Sequence, residues 1–361
     1  MLPIRVLVID DSVVIRRLLQ DAITSQPDFE VAGVAANGPI GLARLVQLAP
    51  DAVTLDVEMP GMSGLDVITE IRQRWPRLPI VMFSTLTERG AVTTLEALER
   101  GASDYVTKPR AGKTPAEALA QVAAELLPKL RALCRPGVAP PQVGKVPVPR
   151  APLARPSRPV ELVVIGVSTG GPNALARVVP ALPADLRVPV AIVQHMPPVF
   201  TRTLAQRLDG NSPLAVAEVG NLAPLLPGRV WVAPGGFHIS VRRLATGWGL
   251  VTTEDPPENS CRPAVDVLFR SAARTVGAGV LGVVLTGMGQ DGMLGAREIV
   301  AAGGQVIVQD EESSVVWGMP GFVANAGLAD AVLPLDQIAL DIRRRVDART
   351  AHKRVLAGGA A

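Results

Sequence analysis

The chain has 361 residues, 48% hydrophobic and 19% charged, with 36 Lys and Arg against 33 Asp and Glu. That length exceeds what one core usually serves and predicts two domains, and the composition excludes long disorder outside local Pro-rich stretches. A net charge of +3 without a dense Lys/Arg run argues against nucleic acid as a partner, and no apolar run approaches the roughly eighteen residues a membrane helix needs.

The opening MLPIRVLVIDDS is an apolar run interrupted by Arg5 and closed by two aspartates. It fits a buried strand better than a signal peptide, so the cytoplasm is the expected compartment and membrane insertion is not expected. Short apolar runs then recur at IRVLVI, AVTL, PIVMFS and DYVT, separated by longer amphipathic stretches. Strands alternating with helices predict a parallel sheet wound on both sides, with ligands beyond the carboxyl ends of the strands. Those ends carry Asp10 and Asp11, Asp56, Ser84, and Lys108 in VTKP. Clustered carboxylates repel one another unless a hard cation such as Mg²⁺ neutralises them, and Lys108 could offset charge on an incoming phosphoryl group. Asp56 is then the nucleophile, and the Ser84 hydroxyl could bond the acyl phosphate. The bland alternative for each residue is a helix cap, a turn or a solvated lysine.

Thr114 and Pro115 open a helix whose Ala116, Leu119, Val122, Leu126, Leu127, Leu130 and Leu133 share one face, with a bend expected near Pro128. A Pro-rich linker follows over residues 136–158. Cys134 and Cys261 lie far apart in unlike contexts and read as two unpaired structural thiols.

Beyond the linker the strand-like runs are ELVVIGV, VPVAIVQ, GVLGVVLTG and GQVIVQD, again in an α/β alternation. VVIGVSTGGP could cradle a nucleotide phosphate or present Ser168. A dinucleotide loop requires Gly at the position of Ser168 and an acid ending the next strand, where Gln194 and His195 stand. The nucleotide reading is left only as an alternative. Gly166-Val-Ser168-Thr-Gly170 instead matches Gly-x-Ser-x-Gly between a strand and a helix. A serine hydroxyl needs a base, normally a His oriented by a carboxylate. His352 lies in a charged tail and His238 in a turn, both read as structural or solvated. His195 ends the neighbouring predicted strand, and Asp291 follows another strand in the Gly-rich loop LTGMGQDG. Backbone N–H groups around Thr169 and Met288 are the expected oxyanion donors. The order Ser, His, Asp differs from that of ordinary α/β-hydrolases.

Two resemblances follow from these residues. Residues 4–122, with the last helix running to about 135, resemble a two-component receiver domain through DD at 10 and 11, LDVEMPGMSGLD, FSTLT and KP. This implies a flavodoxin-like fold, phosphorylation of Asp56 by a histidine-kinase partner, and Mg²⁺ held by Asp11, Asp56 and a backbone carbonyl near Glu58. Tyr105 takes the position of the family's switch aromatic, where ordinary packing is an equal alternative. Residues 159–350, ahead of a tail at 351–361, resemble the catalytic domain of chemotaxis protein-glutamate methylesterases through IGVSTGGP, VQHMP, VAPGGFH, RPAVDVLF, LTGMGQDG and GMP. This implies a Rossmann-like hydrolase fold, a Ser168–His195–Asp291 triad without a cofactor, and hydrolysis of glutamyl γ-methyl esters on chemoreceptor helices. Deamidation of receptor glutamines is also implied. Gly61, Ser63 and Ala264 depart from common family residues and bear on substrate preference. The unphosphorylated receiver is expected to obstruct the Ser168 cleft. A response regulator with a nucleic-acid-binding output is the competing class.

Overall fold

The computed structural model describes residues 2–109, 112–135 and 159–358, with side chains described as far as 347. The linker expected over 136–158 and the side chain of His352 lie outside the described residues. The chain forms two compact units that divide between residues 138 and 139.

The first unit runs β1 (Ile4–Ile9), α1 (Val13–Thr24), β2 (Phe29–Ala35), α2 (Gly38–Leu48), β3 (Ala52–Asp56), α3 (Gly64–Arg74), β4 (Ile80–Ser84), α4 (Glu88–Glu99), β5 (Asp104–Thr107) and α5 (Pro115–Cys134). Its five strands form a parallel sheet in the order β2-β1-β3-β4-β5. The order reverses between β1 and β3, so the residues leaving those two strands flank a crevice. Continuous apolar runs made β1, β3, β4 and β5 legible. The edge strand β2 was not, because FEVAGVA is largely half-buried and Glu30 is exposed. Local chemistry sets the helix starts. Ser12 caps α1 through Ile15 N, and Thr114 and Glu117 form a capping box at α5, which continues through Pro128 to Cys134. Ser63 likewise forms a capping box with Asp66 at α3, which gives that departure a local structural role.

The second unit contains β6 (Leu162–Val167), α6 (Gly171–Val178), β7 (Val190–Gln194), α7 (Phe200–Asn211), β8 (Ala215–Glu218), β9 (Leu222–Pro224), β10 (Arg229–Val232), β11 (His238–Leu244) and β12 (Gly247–Thr253). It continues with α8 (Val265–Val276), β13 (Val280–Val284), α9 (Met293–Ala301), β14 (Gln305–Gln309), α10 (Met319–Asn325), β15 (Ala331–Leu333) and α11 (Leu335–Gly358). Seven strands form a parallel sheet in the order β15-β14-β13-β6-β7-β10-β8. Every residue of the central β6, β7 and β13 is buried. Both faces of a doubly covered parallel sheet are dry, which is why these strands read as unbroken apolar runs. Each fully buried Val, Leu or Ile contributes roughly 1.5–3 kcal/mol, so this central trio anchors the loops at its carboxyl end.

A three-stranded antiparallel sheet, β11-β12-β9, adds to the expected architecture. Its strands mix apolar residues with Arg, Thr and Gly and offered no continuous apolar run. Tertiary contact settles their state: β11 docks on α8, with Val241 N–H donating to Ser271 Oγ at 2.9 Å and Thr275 Oγ1 to Val241 O at 3.1 Å.

Candidate active site

β6 is the switch point of the large sheet, with β13 on one side and β7 on the other. Val167 is in register with Gln194, so Ser168 and His195 are the next residues on adjacent strands. Ser168 is held from three sides. Its N–H donates to Thr286 O at 3.0 Å, and its carbonyl accepts from Gly171 N at 2.8 Å and Gln194 Nε2 at 3.0 Å. The same Gln194 amide donates to His195 O at 3.3 Å, tying the two strand ends together. The turn into α6 is made at Gly170, whose φ of +76° favours glycine. Gly287 lies so close that a Cβ there would meet Ser168 Cβ at 2.8 Å, and this contact brings the β13 loop against the serine. Met288, the next residue, has an N–H with no acceptor among the described residues.

Asp291 reaches His195 from that loop, with Oδ2 2.8 Å from Nε2. The carboxylate also accepts from Val265 N at 2.6 Å, Asp266 N at 3.0 Å, Gly292 N at 3.0 Å and Asn259 Nδ2 at 3.0 Å. Helix α8 begins at Ala264 without a side-chain cap of its own. Asp291 therefore satisfies two of its first N–H groups from another loop, and the helix's positive end favours its charge. Burial pushes Asp291 up, but the hydrogen bond and charge of His195, with the donations from Asp266 and Val265, bring it below the ordinary carboxylate range. Since Asp291 accepts at Nε2, that nitrogen carries the proton in neutral His195, and Nδ1 is the basic nitrogen.

Nδ1 lies 3.5 Å from Cys261 Sγ, and no hydrogen bond joins Ser168 Oγ to the ring. Burial disfavours the imidazolium, yet hydrogen bonds with Asp291 and Cys261 outweigh it and raise His195 to about 10. Both cysteines are unpaired, as expected. Cys134 is raised to about 12, chiefly by burial, as an inert thiol would be. Cys261 instead touches the histidine, a placement that tertiary structure alone reveals. His238 is fully buried: it accepts from Ala264 N at Nδ1 (3.1 Å) and faces Pro256 O through Nε2 at 3.1 Å, as a structural histidine.

In the first unit, Asp10 and Asp56 are buried and Asp11 is exposed, with one carboxylate oxygen of each within 4.8 Å of the other two. Lys108 Nζ lies 2.8 Å from Asp56 Oδ2 and 3.6 Å from Asp10 Oδ2. Asp10 Oδ2 is buried without a hydrogen-bond partner. Burial, then the charge of Asp56, raises Asp10 to about 6. Burial likewise raises Asp56, with Lys108 acting against it. Ser84 is brought to this edge but is engaged elsewhere: it accepts from Thr94 Oγ1 at 2.6 Å and donates to Gly90 O at 3.3 Å. Tyr105 is buried, with Lys129 Nζ 5.1 Å from its ring centroid, and burial raises its hydroxyl well above the usual range. Asp11 and the loop residues Val57, Glu58, Met59 and Pro60 line a cavity of about 420 Å³.

Fold and site together define a response regulator whose output is an α/β hydrolase domain. Residues 6–120 match the response regulator receiver domain family, and residues 163–342 match the CheB methylesterase family. A protein-glutamate methylesterase/protein-glutamine glutaminase of a Nocardioides species is 52% identical over 95% of both chains. One from Trichodesmium erythraeum is 47% identical over 95% of this chain and 99% of its own. The crystal structure of the Thermotoga maritima CheB methylesterase catalytic domain is 40% identical, with a TM-score of 0.50, over 52% of this chain and 98% of that one. The chain belongs to the protein-glutamate methylesterase/protein-glutamine glutaminase family.

Proposed function

We propose that Ser168, His195 and Asp291 carry out phosphorylation-regulated demethylation of chemoreceptors, and that the His195–Asp291 bond beside Ser168 is the observation that supports this best. Ser168 Oγ attacks the carbonyl carbon of a glutamyl γ-methyl ester as His195 Nδ1 takes its proton. The proton then passes to the leaving oxygen, methanol departs, and the acyl group stays on Ser168. Water, deprotonated by the same nitrogen, attacks this ester, and the proton returns to Ser168 as glutamate is released. Thr169 and Met288 N–H stabilise the oxyanion in both steps. Glutamine amides give the same acyl-enzyme with ammonia as the leaving group. The Cys261 thiol competes with Ser168 for Nδ1 and raises the demand on substrate binding to align the pair.

In the receiver, an oxygen of Asp56 attacks phosphorus of a phosphohistidine on a chemosensory kinase, forming an acyl phosphate as the histidine leaves. Lys108 stands beside the acceptor oxygen. The donor set of hard carboxylates, with one buried oxygen unpartnered, fits Mg²⁺, which Asp11 and Asp56 would hold with Asp10 alongside. When bound, the ion offsets charge between carboxylate and phosphoryl oxygens. Substrate and kinase both lie on the cytoplasmic side in this reading.

Methanol release from methylated receptor membranes tests the hydrolase assignment. Ser168→Ala is expected to lower the rate by about 10⁴-fold or more, with or without a small-molecule phosphodonor. Equal rates for this variant and the wild type would remove the serine from the chemistry.

A further inference from the structure

The loop ahead of α8 closes in a two-residue turn between the bridged Glu258 and Cys261. Glu258 N–H donates to Cys261 O at 3.1 Å, and Cys261 N–H to Glu258 O at 2.9 Å. The two residues between, Asn259 and Ser260, have φ of +52° and +62°. Left-handed φ at both central positions is the signature of a type I′ turn, which Asn tolerates better than most non-glycine residues. Arg270 on α8 grips both carboxylate oxygens of Glu258 and fixes the turn over the start of that helix.

From this turn the two hydrogens of the Asn259 amide diverge. Nδ2 lies 3.0 Å from Asp291 Oδ1 and 3.1 Å from Asp266 Oδ2. Asp266 is itself buried, and its carboxylate also accepts from Gly295 N at 2.6 Å. Two buried carboxylates that share a pocket repel when both are charged, and a donor between them lowers that cost. The other donors to Asp291 are backbone N–H groups and His195, so Asn259 is the one side-chain amide that fixes the plane of the carboxylate.

We infer that Asn259 is a positioning residue of the esterase: its amide, presented by the turn, bridges Asp291 and Asp266 and holds the Asp291 carboxylate aimed at His195 Nε2. The inference rests on the triad reading above. Asn259 donates to the two carboxylates and makes no hydrogen bond to Ser168 or to the ring. It acts through Asp291, whose orientation fixes the His195 tautomer that leaves Nδ1 free to take a proton. The groups facing Asp291 are His195, Asn259 and Asp266, with Glu258 and Arg270 behind Asn259 and Cys261 across the ring.

Two substitutions separate the amide from the turn. Asn259→Gly preserves left-handed φ and removes the donor. Asn259→Asp keeps the shape and places an acceptor against two carboxylates. In full-length protein with methylated receptor membranes, Asn259→Gly is expected to lower kcat about tenfold to a hundredfold with KM within about twofold, the range for one hydrogen bond to a charged group. Asn259→Asp should be lower still. The low-field imidazole N–H proton of the His195–Asp291 bond, read by NMR, should shift upfield or broaden in both, while Asn259→Gly stays folded at the assay temperature with its melting temperature lowered by about a few degrees, the cost of leaving the two carboxylates without their shared donor. Wild-type kcat in Asn259→Gly overturns the inference, as does a loss of kcat that follows a fall in melting temperature with the imidazole proton unmoved. Ser168→Ala, run in parallel, separates the two levels. If it is inactive while Asn259→Gly is fully active, only the role of Asn259 fails; if it retains activity, the triad itself fails.

Discussion

Asp10 and Asp291 are both buried aspartates at the carboxyl end of a parallel sheet, yet their surroundings drive them in opposite directions. Asp10 has a buried oxygen without a hydrogen bond, a second carboxylate nearby and a pKa near 6. Asp291 accepts five hydrogen bonds, including two from the start of α8, and is held below the usual range. Burial alone therefore says little about what a carboxylate does. A pocket short of donors disfavours a lone negative charge, whereas a carboxylate saturated with donors is held as a fixed charge.

The comparison can be broken most directly at Asp291. Asp291→Asn presents an amide to Nε2, which favours the tautomer with the proton on Nδ1, and kcat should fall by about 10⁴-fold. The same change replaces one charged oxygen that caps α8, so thermal unfolding should show a loss on the order of 1 kcal/mol. Unchanged turnover in this variant would separate Asp291 from the base.

A smaller effect concerns the pH profile. As the proposed base, His195 would have to be neutral to take the serine proton; since it is raised to about 10, kcat/KM should climb with pH on the alkaline side of neutrality. Cys261 is one of the groups that raises it. Cys261→Ala should move the climb to lower pH, and a profile identical to wild type would show that the thiol does not tune the base.

The smallest effect lies in the receiver. Asp10 is raised from 3.8 to about 6 on folding, so the folded state holds its proton more tightly than the unfolded chain. Its contribution to stability is therefore greatest below about pH 4 and is lost as pH rises through about 6. At neutral pH without Mg²⁺, Asp10→Asn should raise the melting temperature of the receiver transition by a few degrees, on the scale of about 1 kcal/mol. Mg²⁺ should reverse the ranking, since it favours the ionised wild-type site. If the substitution destabilises the receiver without Mg²⁺, the Asp10 environment is not one that disfavours its charge.

Much of both sites was legible in the sequence, for a definite reason. Doubly covered parallel strands are predominantly apolar, so IRVLVI, AVTL, LVVIGV and VLGVV announce themselves, and a polar residue just after such a run lies at the carboxyl edge of the sheet. That rule drew attention to Asp10, Asp11, Asp56, Ser168 and His195 one by one. Edge strand β2 and the antiparallel sheet escaped it because half-buried and mixed strands have no comparable pattern. The choice of His195 over His238 came from chain position, and the structure gives the physical counterpart: one ring meets Asp291, and the other is enclosed by backbone groups.

The two α/β units, the carboxylate set of the receiver and the Ser-x-Gly turn are legible in the chain alone, because each depends on local periodicity or on adjacent residues. That Asp291 meets Nε2, that Cys261 faces Nδ1, that Ser84 bonds Thr94 and that Asn259 joins two carboxylates is visible in the folded molecule and not before it. The contacts to His195 and Asp291 link segments far apart in sequence, and the shorter ones, Ser84 to Thr94 and Asn259 to Asp266, depend on how a helix packs or begins. Their partners are selected by where the strands end and how α8 is capped, and no spacing rule along one chain carries that information.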